Sequence, residues 1–168
     1  KPLLLINKKT IIEYKIDWYK KQNFNNLIFC LGYLQSKFKV FFKKKKIKAK
    51  FESSKISNGI LKRIFLVNKF LTKTSVITYG DTIAKINLKE LIKNHKKSKK
   101  LITLVLSKSK SPFGINQFNK KNIYSYDEKP TMHYFIGYFV IEKKIFKYLP
   151  KKYIGQSDGK GIVNLFKY

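Results

Sequence analysis

Residues 75–81, SVITYGD, constrain this chain more than any other stretch. Val76, Ile77, Thr78 and Tyr79 are β-branched or aromatic, as a short buried strand requires, and Gly80 removes side-chain bulk where a ligand or another backbone comes close. Asp81 then falls at the strand's carboxyl end, where open α/β sheets bind their ligands. A carboxylate there can hold a divalent cation that bridges phosphate oxygens. Capping of the turn or helix that follows is the other role these residues allow.

A chain of 168 residues, 43% of them hydrophobic, suits one domain with a substantial core. The formal charge of +29 and pI near 10.1 raise the question of nucleic acid or a lipid surface. Arg63 is the only arginine, whereas nucleic-acid readers use arginine for bidentate contacts to bases and phosphates. Lys, Asn, Ile, Phe and Tyr are over-used together along the chain, as in AT-rich coding, so the charge is read as a solvated face. The lysines of residues 43–46 and 96–100 attract nucleotides only nonspecifically on this reading. Cys30 lies alone in an apolar run and is expected to be a reduced core residue. No apolar run approaches the roughly 20 residues that span a bilayer, and the cytoplasm is the default location. The chain opens on Lys1 and stops at Tyr168 inside a helical pattern, so a piece truncated at both ends is expected.

Taken in order, residues 2–7 read as a strand, and Ile12, Ile16 and Tyr19 as the stripe of a helix capped by Thr10. Residues 27–31 form a buried strand closed by Gly32, and strand–helix–strand implies parallel pairing. A helix over residues 34–42 and an edge strand over 47–51 follow. Ser57 or Asn58 can cap a helix running through Leu61, Ile64, Phe65, Asn68 and Leu71. Beyond Asp81, Leu88, Leu91, Ile92 and His95 give an amphipathic helix capped by Asn87. Residues 101–106 are a buried strand, and residues 113–118, 123–126 and 134–141 read as a β-meander, with a short helix from Ile145. The expected fold is α/β, a Rossmann-like three-layer sandwich with a mixed, mainly parallel sheet and extra antiparallel strands in the C-terminal half.

His95 and His133 are far apart and lack cysteine partners, which argues against zinc. His95 reads as the polar edge of its helix and His133 as a turn residue. GQSDGKG, residues 155–161, departs from phosphate-loop spacing and reads as a loop. The run DEKP, residues 127–130, places Glu128 and Lys129 at a strand end before a proline turn. The lysine there can bind a phosphate and the glutamate can accept from sugar hydroxyls. A surface ion pair in a turn is the alternative.

KPLLLINKKTIIEYKIDWYKK, LIFCLGY, SNGILKR, TYGDTIAKINLKELI, SPFGINQF, YDEKP and IGYFVIE occur in this order. In order and spacing the chain resembles the sugar-1-phosphate nucleotidyltransferases over nearly its whole length. The L-K-R beside the glycine and T-Y-G-D are most similar to the glucose-1-phosphate cytidylyltransferase branch. The resemblance implies a Mg²⁺-dependent enzyme that joins an NTP, CTP on the branch resemblance, to a sugar 1-phosphate, releasing pyrophosphate and serving surface polysaccharide synthesis. It makes Asp81 the metal ligand and Lys1 a phosphate-contacting catalytic lysine. Asn58, Gly59, Tyr79 and Gly80 fall to the nucleotide, and Gly114, Glu128, Lys129 and Gly137 to the sugar phosphate. Association with a second copy is compatible with it.

The sequence departs from the family's pattern in several places. An N-terminal strand and a G-x-G-T-R-L loop are expected just before Lys1, and a second metal-binding aspartate beyond Tyr168. Asn58 replaces a glycine, Ile60 an arginine and Phe135 an asparagine. The 168-residue piece is therefore expected to be an incomplete, inactive enzyme. A catalytically inactive nucleotide-sugar-binding regulatory domain is the alternative, and a basic nucleic-acid-binding protein a weaker one.

Overall fold

The computed structural model describes residues 1–157 and 159–167. Asn7 and Lys8, both with positive φ, turn β1 (Leu5–Ile6) back on β2 (Lys9–Thr10). Thr10 then opens α1 (Ile11–Lys21): its hydroxyl accepts from the Glu13 N–H while the Glu13 carboxylate accepts from the Thr10 N–H, a complete capping box. Residues 2–7 are thus not the single strand expected, because their first half forms a turn in which the Leu4 N–H donates to Lys1 O.

β3 (Ile28–Leu31) pairs in parallel with β4 (Lys50–Ser53) across α2 (Gln35–Lys44). Ile12, Ile16 and Phe42 are buried on the Phe29 and Phe51 side of this pair. On the other side, α3 (Ile60–Leu66) places Arg63 O within reach of the Cys30 thiol. Gly59, not Ser57 or Asn58, stands at the N-cap of α3, and no side chain caps it. The expected single helix to Leu71 ends at Leu66 and tightens into a 3₁₀ turn, Val67–Phe70.

β5 (Thr74–Thr78) leads to α4 (Leu88–Ser98), whose Asn87 cap accepts from the Glu90 N–H. The longer strands β6 (Ile102–Lys110), β7 (Ile115–Asn119), β8 (Asn122–Asp127) and β9 (Thr131–Glu142) follow. The sheet order is β5–β9–β6, with β9 antiparallel to both neighbours, so β5 and β6 run in the same direction. β7 and β8 pair only with each other among the described residues, so no meander forms. β9 is buried from Tyr138 to Glu142 and takes the central place, whereas the hairpin is mostly exposed. A 3₁₀ turn (Lys143–Lys147), α5 (Lys151–Ile154) and α6 (Lys160–Lys167) pack with α3 against Phe139 and Ile141.

Several local expectations are corrected. Cys30 is exposed rather than in the core, because its face opens on a cavity described below. His95 is buried, bonded to Thr103 Oγ1 at 2.7 Å and Glu142 Oε1 at 3.3 Å. His133 lies in β9 opposite Lys108 rather than in a turn. Residues 155–157 and Gly159 of GQSDGKG are loop as expected, Lys160 and Gly161 begin α6, and Asp158 lies outside the described residues. Among the described residues no helix is long and apolar enough to cross a membrane.

Candidate active site

The β5 ladder runs one bond past the strand, where the Tyr79 N–H donates to Gly137 O at 2.9 Å. Gly137 has φ +75°, and a Cβ there would lie 3.0 Å from the Tyr79 ring. Both facts call for glycine, and its absence of a side chain lets Tyr79 lie flat on β9. The Tyr79 ring meets the edge of Phe135 at 5.8 Å, so Phe135 packs as an apolar neighbour. On the other side of the turn a Cβ on Gly80 would come within 3.1 Å of Pro2. The structure therefore brings Lys1–Pro2, Tyr79–Gly80–Asp81 and Gly137 together at the carboxyl end of β5. Lys1 and Asp81 are exposed there.

One face of α1 grips the loop that carries Asp81. The Lys15 ammonium donates to Thr78 Oγ1 at 2.8 Å, to Thr82 O at 2.6 Å and to Tyr79 O. One turn on, Trp18 Nε1 donates to Ile86 O at 3.0 Å, and Gln22 bonds Ile86 O and the Leu88 N–H. Tyr19 donates to the Tyr138 hydroxyl, which donates to Thr82 O. Burial pushes the Lys15 ammonium down to about 8, with the Asp81 charge opposing, and burial raises the Tyr19 phenol. Sequence reasoning counted Tyr19, with Trp18, in the helix stripe but missed Lys15 and Gln22, because polar side chains were assigned to the solvent side. The available signal was four long side chains at positions 15, 18, 19 and 22, the i, i+3, i+4, i+7 spacing of one helix face.

The loop before α3 is held by the chain's one arginine. Arg63 donates to the carbonyls of Asn58 at 2.9 Å and Ile56 at 3.0 Å, and its guanidinium fills the space a Cβ on Gly32 would need. Gly59 lies against Gln156 O, where a Cβ would stand at 2.4 Å. On the far hairpin, Gly114 packs under the Tyr126 ring, Tyr126 donates to the Glu128 carboxylate, and Lys129 stands 4.0 Å from Glu128. From Gly137 back to Thr131 is six steps of β9, roughly 20 Å at about 3.3 Å per residue. Glu128 and Lys129 precede β9, whereas the turn before Asp81 bonds to Gly137 in the bulge within that strand.

Between β3 and β5 lies a mainly apolar cavity of about 480 Å³. Residues 23–30 and 74–80 line it without a gap, so the β3 edge turned from β4 and the β5 edge turned from β9 both face it. Ile16 and Tyr19 close one side and Arg63 and Ile64 the other, and Tyr79 and Gly80 form its rim beside Asp81. A second cavity, at the other end of β5, is rimmed by lysines around His95 and Glu142. No group of three or more His, Cys, Asp or Glu that could hold a metal occurs among the described residues.

The Nucleotidyl transferase family profile matches residues 1–161. The probable glucose-1-phosphate cytidylyltransferase of Bacillus subtilis is 26% identical over 193 aligned positions, covering 99% of this chain and 76% of that one. The D-glycero-alpha-D-manno-heptose 1-phosphate guanylyltransferase of Campylobacter jejuni is 28% identical over 149 positions, covering 88% of this chain and 60% of the relative. Among solved structures, HddC from Yersinia pseudotuberculosis complexed with GMP-PN aligns with a TM-score of 0.70 at 18% identity, over 89% of this chain and 70% of that one. The CTP:phosphocholine cytidylyltransferase of Streptococcus pneumoniae aligns with a TM-score of 0.62 at 18% identity, over 99% of this chain and 75% of that one. These likenesses show that the chain shares the α/β, Rossmann-like fold of those enzymes.

Proposed function

Because this chain belongs to the nucleotidyl transferase family, we propose that it transfers a nucleotidyl group from an NTP to a sugar 1-phosphate, giving an NDP-sugar and pyrophosphate. The observation that carries this reading is the meeting of Lys1–Pro2 with Gly80–Asp81 at the carboxyl end of β5. Pro2, which follows Lys1, packs on Gly80, which precedes Asp81, and a second glycine, Gly137, bonds to Tyr79 from β9.

In-line attack by a sugar-phosphate oxygen on the α-phosphorus brings two anions together, so the site must offset their repulsion. Lys1 supplies a positive charge at the turn, and no protein nucleophile is required. Asp81 is exposed, and a single carboxylate with room for water and phosphate oxygens fits Mg²⁺, which keeps several waters and takes one or two protein carboxylates. Bound there, Mg²⁺ would neutralise charge building on the phosphate oxygens. Tyr79 and Gly80 border the nucleotide side of the turn, and the Arg63-braced loop at Asn58–Gly59 is the candidate base contact. Gly114, Glu128 and Lys129 are the candidate contacts to the sugar phosphate. The two named sequence relatives use different bases. CTP is nonetheless the first nucleotide to test, on the branch resemblance. The cytoplasm is the proposed location of this reaction.

The same reading gives the cavity between β3 and β5 an occupant. An extended strand leading into a G-x-G-T-R-L loop would pair with both facing edges and deliver that loop beside Lys1 and Asp81.

The test is pyrophosphate release by the protein expressed from its complete reading frame, with NTPs scanned against sugar 1-phosphates. Turnover with at least one pair is expected, with a loss of about 10²-fold or more in kcat for Asp81→Ala, the scale of removing one charge-stabilising group. Turnover unaffected by Asp81→Ala overturns the site, and no turnover with any pair overturns the activity.

A further inference from the structure

We infer that Lys15 is the positioning residue that sets the Asp81 carboxylate for its cation, an inference that rests on the function proposed above. Lys15 sits on the buried face of α1 between Ile12 and Ile16, and it is only 2% exposed. Amphipathic spacing would put an aliphatic side chain there, and an apolar residue would spare the chain the desolvation of an ammonium. A buried charge at that place is explained by what it holds.

The Lys15 ammonium has three protons and three oxygen acceptors: Thr78 Oγ1, Tyr79 O and Thr82 O. The two carbonyls bracket Gly80–Asp81 from both sides. Gly80 has no side chain with which to fix the turn, and the carbonyls on either side of the Gly80–Asp81 pair, Tyr79 O and Thr82 O, accept from the same nitrogen. Removing the ammonium would leave those carbonyls without their charged donor and free the turn to move. The Tyr138 ring lies 4.9 Å from Nζ, and its hydroxyl also donates to Thr82 O, so the cation is enclosed on the side away from the loop. With every proton committed to the loop, Lys15 has no donor left for a substrate phosphate. Its action passes through the backbone to Asp81, as outer partners of metal ligands act on affinity.

The experiment uses the protein from its complete reading frame with Lys15→Met, Thr78→Val and Lys15→Arg, and reads two properties that need no turnover. The first is amide hydrogen exchange at residues 79–83 relative to β9. The second is Mn²⁺ affinity, from paramagnetic broadening of the same amides. For Lys15→Met, exchange at residues 79–83 is expected to rise about tenfold or more with β9 unchanged, and Mn²⁺ affinity to fall about 10–100-fold. Thr78→Val should shift both in the same direction by about two- to threefold, and Lys15→Arg should restore part of the loss. In turnover, the Mg²⁺ concentration for half-maximal rate should rise in step while kcat at saturating Mg²⁺ stays within about threefold.

Unchanged exchange at residues 79–83, or faster exchange with unchanged Mn²⁺ affinity, overturns the inference, as does a wild-type chain that binds no Mn²⁺. If Lys15→Met does not fold, Thr78→Val and Lys15→Arg decide by the same readouts. Wild-type protein that binds Mn²⁺ but turns over no substrate pair overturns the proposed activity, and the exchange and affinity arms still decide the role of Lys15.

Discussion

Gly137 shows how much of the site rests on single residues. On β6, Leu104 faces Phe139 and Leu106 faces Phe135, so β9 bulges by extra residues with Gly137 at the centre. Its φ of +75° and the Tyr79 ring 3.0 Å from the place of a Cβ make two separate demands for glycine. Tyr79 cannot withdraw without breaking its own bond to Gly137 O. Gly137→Ala is expected to cost about 2 kcal/mol, since a left-handed conformation and a tight contact each contribute on the scale of 1 kcal/mol. For a chain of this length that lowers Tm by roughly 4–8 °C, readable by calorimetry. Gly137→Asn, which tolerates positive φ, should lose less of its backbone term. An unchanged Tm for Gly137→Ala would show that the bulge is not held in this geometry. Gly137 entered the sequence reading only through the family resemblance, as a sugar-phosphate contact, and its bond to Tyr79 was not legible there. Nor was Lys15, because hydrophobic periodicity assigns every lysine to the solvent side and cannot count the oxygens gathered beneath it.

α1 joins local chemistry to the site, since the capping box fixes where it starts and Lys15, Trp18 and Gln22 fix what it holds. Burial would raise the Glu13 carboxyl, but the Lys45 ammonium at 2.8 Å and the Thr10 N–H and hydroxyl outweigh it and hold the group at about 2. The folded value lies below the ordinary 4.5, so the unfolded chain takes up the proton first as pH falls. Stability from Glu13 is complete above about pH 5.5 and drains away between about pH 4.5 and 2. Glu13→Gln should cost about 1 kcal/mol at pH 7, the scale of a lost cap with a partly solvated ion pair, and much less by pH 2. Urea midpoints of the two chains at pH 7, 5 and 3 check this, and a constant gap across the series would remove Glu13 from the account. The helices α1 and α4 were legible because Thr10 and Asn87 precede clear apolar spacing. The partner of β9 was not, since alternation within a strand does not say which strand it will meet. Burial decided it: Tyr138 to Glu142 is covered on both faces and had to lie between β5 and β6, leaving the β7–β8 hairpin to itself.

At the scale of the molecule, the two sheet pieces are each half of something. β3–β4 closes over the Ile12, Ile16 and Phe42 cluster, and β5–β9–β6 over the cluster around Phe139 and Ile141. The cavity of about 480 Å³ separates them, with a bare strand edge on each wall. Backbone N–H and C=O groups along such edges favour pairing with another strand. A strand seated there would join the pieces into one mixed sheet, which is why the proposed function gives it this place. The sequence signalled an upstream strand through its resemblance, but no local pattern could signal the gap itself, because a cavity is a relation between distant elements. Cys30 offers a direct reading of it. The thiol is reachable from the cavity, but the protein packed around it desolvates it and pushes it up to about 11 despite Arg63 nearby, so it reacts slowly but measurably with an alkylating reagent at mildly alkaline pH. In the 168-residue chain Cys30 should be modified, and the β3 and β5 amides should exchange faster than those of β9. In the protein from the complete reading frame a seated strand should slow modification by about tenfold or more and protect both edges, since access then requires local opening. Equal rates at Cys30 in the two proteins would mean that the cavity stays open, and the strand would have to be sought elsewhere.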